Sequence, residues 1–209
     1  MKLVLISDTH GQHQQLSLPK GDMIIHAGDV SSRGHQSEIE SFLQWYSQLD
    51  YKYKIFIAGN HDFYFENTPK QAIEDLIPDN LIYLNDSGIE IEGLKIWGSP
   101  VQPWFYNWAF NRQRGRDIKK HWDLIPEDTD FLITHGPPLD ILDRTMRGEA
   151  VGCKDLLDKV LAIKPDYHLF GHIHEAYGHI EKKGVEFINA SVLNLQYQMV
   201  NEAVVVEMC

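Results

Sequence analysis

Thiol chemistry is almost absent from this sequence. Only Cys153 and Cys209, among 209 residues, are cysteines. Two cysteines make no disulfide framework, and such low usage suits a reducing cytoplasm. Long hydrophobic runs are missing too. The longest extend four to six residues, as in Leu3-Val4-Leu5-Ile6, whereas a membrane helix needs about 20. The sequence opens on a strand-like run without a signal-peptide apolar region, so a cytoplasmic location without a leader or a membrane is expected. Positive charge is also scarce. Nineteen Lys and Arg face thirty Asp and Glu, a formal charge of −11 with no basic stripe. That disfavours nucleic acid, because proteins that track a phosphate backbone cluster their cations. Two bound divalent cations would offset about four of those negative charges locally. Low-complexity segments, solenoid-period repeats and linkers are absent as well. One domain over 1–209 is expected, with 43% hydrophobic residues to fill a core.

What is present is a series of short, β-rich apolar runs, each ended by small or polar residues. KLVLIS leads into Asp8-Thr9-His10-Gly11, MIIHAG into Asp29, and KIFIAG into Asn60-His61-Asp62. FLIT leads into His135-Gly136 and YHLF into Gly171-His172. Unalternating runs of this length suit strands covered on both faces. Helical spacing lies between them. Over 37–49 the residues Ile39, Phe42, Leu43, Tyr46 and Leu49 share a face, and Ser37 with Glu40 resembles a capping box. Thr68-Pro69 opens a second helix, and 153–161 carries Leu156, Leu157, Val160 and Leu161 in a third. Alternation over 89–96 turning at Gly93, and over 179–188 turning near Lys183-Gly184, predicts two hairpins. Val204-Val205-Val206 reads as a last strand. The fold class is mixed α/β.

The strand ends collect the chemistry. In order they offer Asp8 and His10, Asp29, Asn60 and His61, His135, then His172 and His174. Open α/β sheets bind ligands beyond the carboxyl ends of their strands, so five loops should meet there. Each feature has a plain reading when taken alone. Asp8-x-His10 could cap a helix, Asp29 and Asn60 could be turn residues, and Gly28, Gly59 and Gly171 ordinary loop glycines. Together they form a set of carboxylate, imidazole and amide donors without thiolate, suited to Mn²⁺, Fe²⁺ or Zn²⁺. Even without His61, seven donors exceed one tetrahedral zinc and suffice for two ions if one carboxylate bridges. His26, His168 and His179 match no ligand slot and read as core residues or supports of the ligands. His13, His35 and His121 read as exposed.

These blocks resemble the calcineurin-like metallophosphoesterase superfamily, whose signature is Asp-x-His, Gly-Asp, Gly-Asn-His-Asp/Glu, a lone His and Gly-His-x-His. Here they stand as Asp8-Thr9-His10, Gly28-Asp29, Gly59-Asn60-His61-Asp62, His135 and Gly171-His172-Ile173-His174. SDTHG, LITHGPP, Gly152-Cys153 and GHIHEAYG followed by INAS resemble its small metallophosphoesterase-domain, brain-protein-like subfamily, as a bacterial-type member. The resemblance implies two mixed β-sheets packed face to face and flanked by helices. It implies one metal at Asp8, His10, Asp29 and His174, a second at Asp29, Asn60, His135 and His172, and Asp29 bridging them beside a water or hydroxide. Mn²⁺ is the preferred ion. His61 is then free to stabilise the leaving group, with Asp62 orienting it.

The function expected is in-line hydrolysis of a small phosphodiester, such as a cyclic nucleotide, by a metal-bridging hydroxide. That preference rests on the subfamily resemblance. A phosphomonoesterase or protein phosphatase is the first rival; a nuclease and a non-catalytic scaffold are weaker ones. Substrate-binding residues are Asn60, His61 and Asn107. Asn107 lies in the aromatic segment 104–110, which reads as core or the contact of a homodimer ahead of a second reading, a wall of the substrate pocket that stacks on a nucleobase. Arg112, Arg114, Arg116, Arg144 and Arg147 are candidate phosphate contacts, each more simply solvated.

Overall fold

The apolar runs become strands that are too short to bury themselves and must stack. A computed structural model describes residues 1–208; Cys209 lies outside them. In chain order the elements begin with β1 (Lys2–Ile6), β2 (Met23–His26), α1 (Gln36–Ser47) and β3 (Tyr53–Phe56). There follow α2 (Phe63–Asn67), α3 (Lys70–Leu76), β4 (Ile82–Tyr83), β5 (Ser87–Ile91) and β6 (Leu94–Ser99). Next come β7 (Gln102–Pro103), β8 (Asn111–Arg112), α4 (Arg116–Trp122), β9 (Phe131–Thr134) and α5 (Lys154–Ile163). The last strands are β10 (Tyr167–Phe170), β11 (Gly178–Lys182), β12 (Val185–Asn189) and β13 (Val204–Glu207). Single 3-10 turns lie at His13–Gln15 and His174–Ala176.

One sheet has the order β13-β1-β2-β3-β4, the other β11-β12-β10-β9-β6-β5. Within the first, β1 to β4 run parallel and β13 antiparallel to β1. In the second, β12, β10, β9 and β6 are parallel, and the two predicted hairpins supply the edges. Both faces of each sheet are covered, which explains the unalternating runs. Leu3, Leu5, Ile25 and Ile55 meet Ile96, Phe131, Ile133, Leu169 and Ile188 between the sheets. The outer face of the first sheet packs on Ile39, Phe42, Leu43 and Tyr46 of α1. The outer face of the second packs on Ile118 and Trp122 of α4 and Leu156 and Val160 of α5.

Some boundaries differ from the sequence reading. Helix α1 starts one residue early, with His35 as N-cap, and Glu38 rather than Glu40 closes its first turn. The Glu38 carboxylate accepts the backbone N–H groups of Ser32, Arg33 and His35, so it ties down a loop as well as a helix. Pro69 is the N-cap of α3, and the separate short helix α2 precedes it. Helix α4 carries only two buried apolar positions, Ile118 and Trp122, too few to reveal a period. The two-residue strands β4, β7 and β8 have no period at all.

Candidate metal centre

The carboxyl ends of both sheets come together along one seam. Ser7, just past β1, pairs with Ser191, just past β12. The Ser7 N–H donates to Ala190 O at 2.9 Å, and the Val192 N–H to Ser7 O at 3.0 Å. The loops after β1, β2 and β3 therefore face the loops after β9, β10 and β12. Four of the predicted ligands sit in strained backbone. Asp8, His10, Asp29 and His172 have φ of 56°, 42°, 56° and 70°, a left-handed region that non-glycine residues seldom adopt and that clusters at functional sites. The motif glycines serve close approach. A Cβ on Gly171 would fall onto Oδ2 of Asp8 and Oγ of Ser7, and one on Gly59 onto Oδ1 of Asp29. Gly28, at φ +101°, faces Nδ1 of His135 and the Ala58 carbonyl in the same way.

The seven predicted ligands meet at this seam in two groups. Asp8, His10 and His174 bring one ligand atom each within 4.8 Å of one another, and so do Asp29, His135 and His172. Asn60 joins the second group through His135, and Asp29 Oδ2 faces both groups, 3.6 Å from His10 Nε2 and 3.4 Å from His135 Nε2.

The tautomers show what the groups lack. His135 Nδ1 lies 3.0 Å from Ala27 O, a carbonyl that can only accept, so Nδ1 carries the proton. Its Nε2 lone pair then points at Asn60 Oδ1, 2.9 Å away, and Asp29 Oδ2. Likewise His174 Nδ1 donates to Asn194 O at 3.0 Å. That turns its Nε2 lone pair toward His10 Nε2 at 3.3 Å and Asp8 Oδ1 at 3.5 Å. Where the imidazole Nε2 atoms meet the carboxylate and amide oxygens, each cluster needs a positive charge, either a second proton on His135 or His174 or a cation among the acceptors. Imidazole, carboxylate and amide oxygen suit borderline divalent ions, so the residues present fit a two-metal site.

A family model described as calcineurin-like phosphoesterase matches residues 1–176. The chain belongs to that family. It is thus a phosphoesterase, a hydrolase of phosphoesters that the family identity implies to be metal-dependent. It is 41% identical over 231 residues to human metallophosphoesterase domain-containing protein 1, covering 99% of this chain and 71% of that protein. It is 37% identical over 217 residues to a UPF0046 protein of Caenorhabditis elegans, covering 98% of this chain and 74% of that one. Crystalline TT1561 of Thermus thermophilus shares the fold, with a TM-score of 0.61 at 12% identity over 90% of this chain and 88% of that chain.

Protonation in this phosphoesterase follows the same geometry. Burial lowers His10 to about 4 and His172 to about 3, so both stay neutral and able to coordinate. Burial also pulls on His135 and His174, but Asp29 beside the first and Asp8 beside the second raise each to about 9 without a cation. Burial opposes ionisation of Asp8 and Asp29, yet the adjacent imidazoles hold both carboxyls below the usual range.

His61 is held on three sides. Its Nδ1 donates to Ser32 O at 2.7 Å, its ring stacks on Trp108 at 4.2 Å, and His10 meets it edge-on at 4.5 Å. Its backbone N–H donates to Asp29 Oδ1 at 2.8 Å. With Nδ1 so occupied, Nε2 is the atom free to exchange a proton. One ring nitrogen of His61 also comes within 4.8 Å of ligand atoms of His10 and Asp29. Asp62 does not orient this ring. Its carboxylate accepts from the N–H groups of Val30, Ser31 and Gly59 and from the Ser31 hydroxyl at 2.6 Å, clamping the loop after β2 to the loop after β3. Burial and the nearby charge of Asp29 push Asp62 up to about 6.

A cavity of about 220 Å³ opens over the phosphoesterase centre, lined by Asp29, Asn60, His61, Phe105, Trp108, His172, His174, Leu195 and Tyr197. Asn107 is not among its walls; it is exposed on the same loop, whose Phe105 and Trp108 turn inward instead. The aromatic segment therefore divides: Ala109 and Phe110 are core, and Trp104 and Tyr106 are exposed. None of the five arginines lines the cavity. Arg112 pairs with Glu66, Arg114 binds the carbonyls of Val151 and Gly152, and Arg144 binds Gly148 O. Three other histidines differ from expectation. His13 is buried against Trp45 and Phe42, His121 is half-buried against Asp86, and His179 is exposed on edge strand β11 beside Glu186. His26 and His168 are buried; His26 bonds Thr9 in the loop that carries His10, and His168 bonds Thr134, the last residue of β9 before His135. Sequence reasoning missed Ser191, which donates to Asp8 Oδ2 at 2.7 Å, and Asn194, which acts on His174 through its carbonyl.

Proposed function

We propose that this phosphoesterase is a cytoplasmic phosphodiesterase, working as one domain over 1–209 on small phosphodiesters, cyclic nucleotides among them. Two divalent cations, with Mn²⁺ preferred over Fe²⁺ or Zn²⁺, would be held by Asp8, His10, Asp29 and His174 and by Asp29, Asn60, His135 and His172. The observation that carries this reading is the pair of buried acceptor clusters sharing Asp29. Bound cations supply Lewis-acid charge to the phosphate oxygens and a nucleophile at neutral pH.

The residues of the chain do the rest. Asp8 is fixed by the His172 N–H and the Ser191 hydroxyl, so its remaining lone pairs face His174. The carbonyls of Ala27 and Asn194 lock the tautomers of His135 and His174. His61 gives a proton from Nε2 to the departing ester oxygen, held in place by Ser32 O and Trp108. Asn60 and His61, both on the cavity wall, also bind the substrate.

The test is metal reconstitution of stripped protein followed by assay on diester and monoester substrates. Asp29→Ala should lose both metal and turnover. His61→Ala should keep its metal and lose about 10²–10⁴ in kcat. Loss of metal from His61→Ala would reassign this ring as a ligand. Tight binding of two metals with no ester turned over would leave a binding protein on a hydrolase scaffold.

A further inference from the structure

The cavity wall beside His10 and His174 has no role in the chemistry so far. It is a turn after β12 that carries Leu195 and Tyr197, 40% and 46% exposed, onto the cavity. The Tyr197 ring stands edge-on to two candidate ligands, His10 at 4.9 Å and His174 at 5.5 Å. The Tyr197 backbone is strained, with φ at 57°, and the strain is held by a dedicated network. Asn194 Oδ1 accepts the N–H groups of Gln196 and Gln198, Asn194 Nδ2 donates to Gln198 Oε1, and Gln12 Nε2 donates to Tyr197 O. The same Asn194 anchors His174. The ring is thus built into register with the metal centre.

The cavity contains no lysine or arginine. A terminal phosphate carries a further ionised oxygen, and beside the metal ligands the lining offers it only an amide, imidazoles and a phenol, with no fixed cationic side chain. A diester instead presents a second organic substituent, and the cavity offers two apolar walls for the two ester groups. Trp108 stacks on His61 and Phe105 meets His172, while Tyr197 meets His10 and His174 with Leu195 two residues before it on the lining.

We propose that Tyr197, on its Asn194-held turn, is a specificity-determining residue that packs against a flat aromatic substituent on the non-leaving ester oxygen, selecting aryl- or base-bearing diesters over alkyl diesters and monoesters. The proposal rests on the diesterase reading above and names the substituent which that site prefers. An edge or face contact between two rings is worth about 0.5–1.5 kcal/mol beyond area burial, so removing it should cost up to about tenfold.

Three substrates with one leaving group test it: bis-p-nitrophenyl phosphate, methyl p-nitrophenyl phosphate and p-nitrophenyl phosphate. After division by the uncatalysed rates, kcat/KM should fall in that order. In Tyr197→Ala the aryl-to-methyl ratio should fall about five- to tenfold, mainly through KM, and Tyr197→Phe should restore it. Metal content measured on each variant separates this effect from damage to His10 or His174. A ratio indifferent to Tyr197→Ala, or monoester turnover equal to the aryl diester's, would overturn the proposal and leave the hydrolase standing. Turnover of none of the three by metal-loaded wild type would remove the diesterase reading and this proposal with it.

Discussion

The unusual residues at the centre are His135 and His174, because each is placed to hold either a proton or a cation but not both. Their partners raise both to about 9 from an ordinary 6.5. A histidine raised on folding stabilises the metal-free fold fully below about 6.5 and loses that contribution as pH climbs through about 9. Cation binding must expel the same protons. Calorimetric titration of stripped protein with Mn²⁺ near neutral pH should show up to about two protons released, read from buffers of different ionisation enthalpy. Release should vanish above the raised pKa values, and the melting temperature of the stripped protein should decline across that interval. Heats that do not depend on the buffer would refute this account. Most of these residues were legible in the sequence, because carboxylate and imidazole in ordered blocks are uncommon outside metal sites. The anchors were not: Ala27, Ser32 and Asn194 act through backbone carbonyls, which every residue has. Nor could Asp62 be read correctly, since its neighbour in sequence, His61, is not its neighbour in hydrogen bonding.

Strand–loop junctions are the functional elements, and glycine decides their geometry. Gly171 and Gly184 make a matched pair. A methyl at Gly171 meets the Asp8 carboxylate and the Ser7 hydroxyl, whereas one at Gly184, at φ +81°, meets nothing within 4 Å. Gly171→Ala should therefore displace Asp8, weaken metal binding and destabilise the protein by roughly 1–3 kcal/mol through overpacking. Gly184→Ala should cost about 1 kcal/mol of backbone strain and leave metal content alone. Urea unfolding with metal analysis distinguishes them; equal metal loss in both would mean that the Gly171 contact is not the cause. The strands were readable because both sheet faces are buried and the runs are uninterrupted. Hairpins were readable from alternation and Gly93 or Gly184. Helix α1 was read in the right place but capped by the wrong pair, since two Glu residues, Glu38 and Glu40, stand near candidate caps and only the fold of the 32–35 loop chooses between them.

On the scale of the whole molecule, the centre spans two sheets. Asp8, His10, Asp29 and Asn60 follow strands of the first, and His135, His172 and His174 follow strands of the second. Ions bound between them stabilise the folded state by mass action, about 4 kcal/mol per site when free metal exceeds Kd a thousandfold. Chelation should lower the melting temperature by roughly ten degrees for each such site in a chain of this size. An unchanged melting curve after verified metal removal would deny the link. Among the described residues no helix is long and apolar enough to cross a membrane. The seam itself was not legible: strand ends announce a site at one sheet edge, but the Ser7–Ser191 bridge that joins two sheets depends on contacts far apart in sequence.

Between β4 and β5 the chain leaves the first sheet, and it returns only as β13. A nick in that short crossover would yield two fragments, one bearing Asp8 to His61 and the other His135 to His174. Neither fragment holds all the donors of the proposed site, so a divalent ion bound there would add its grip to the apolar contact between the sheets in holding the two halves together.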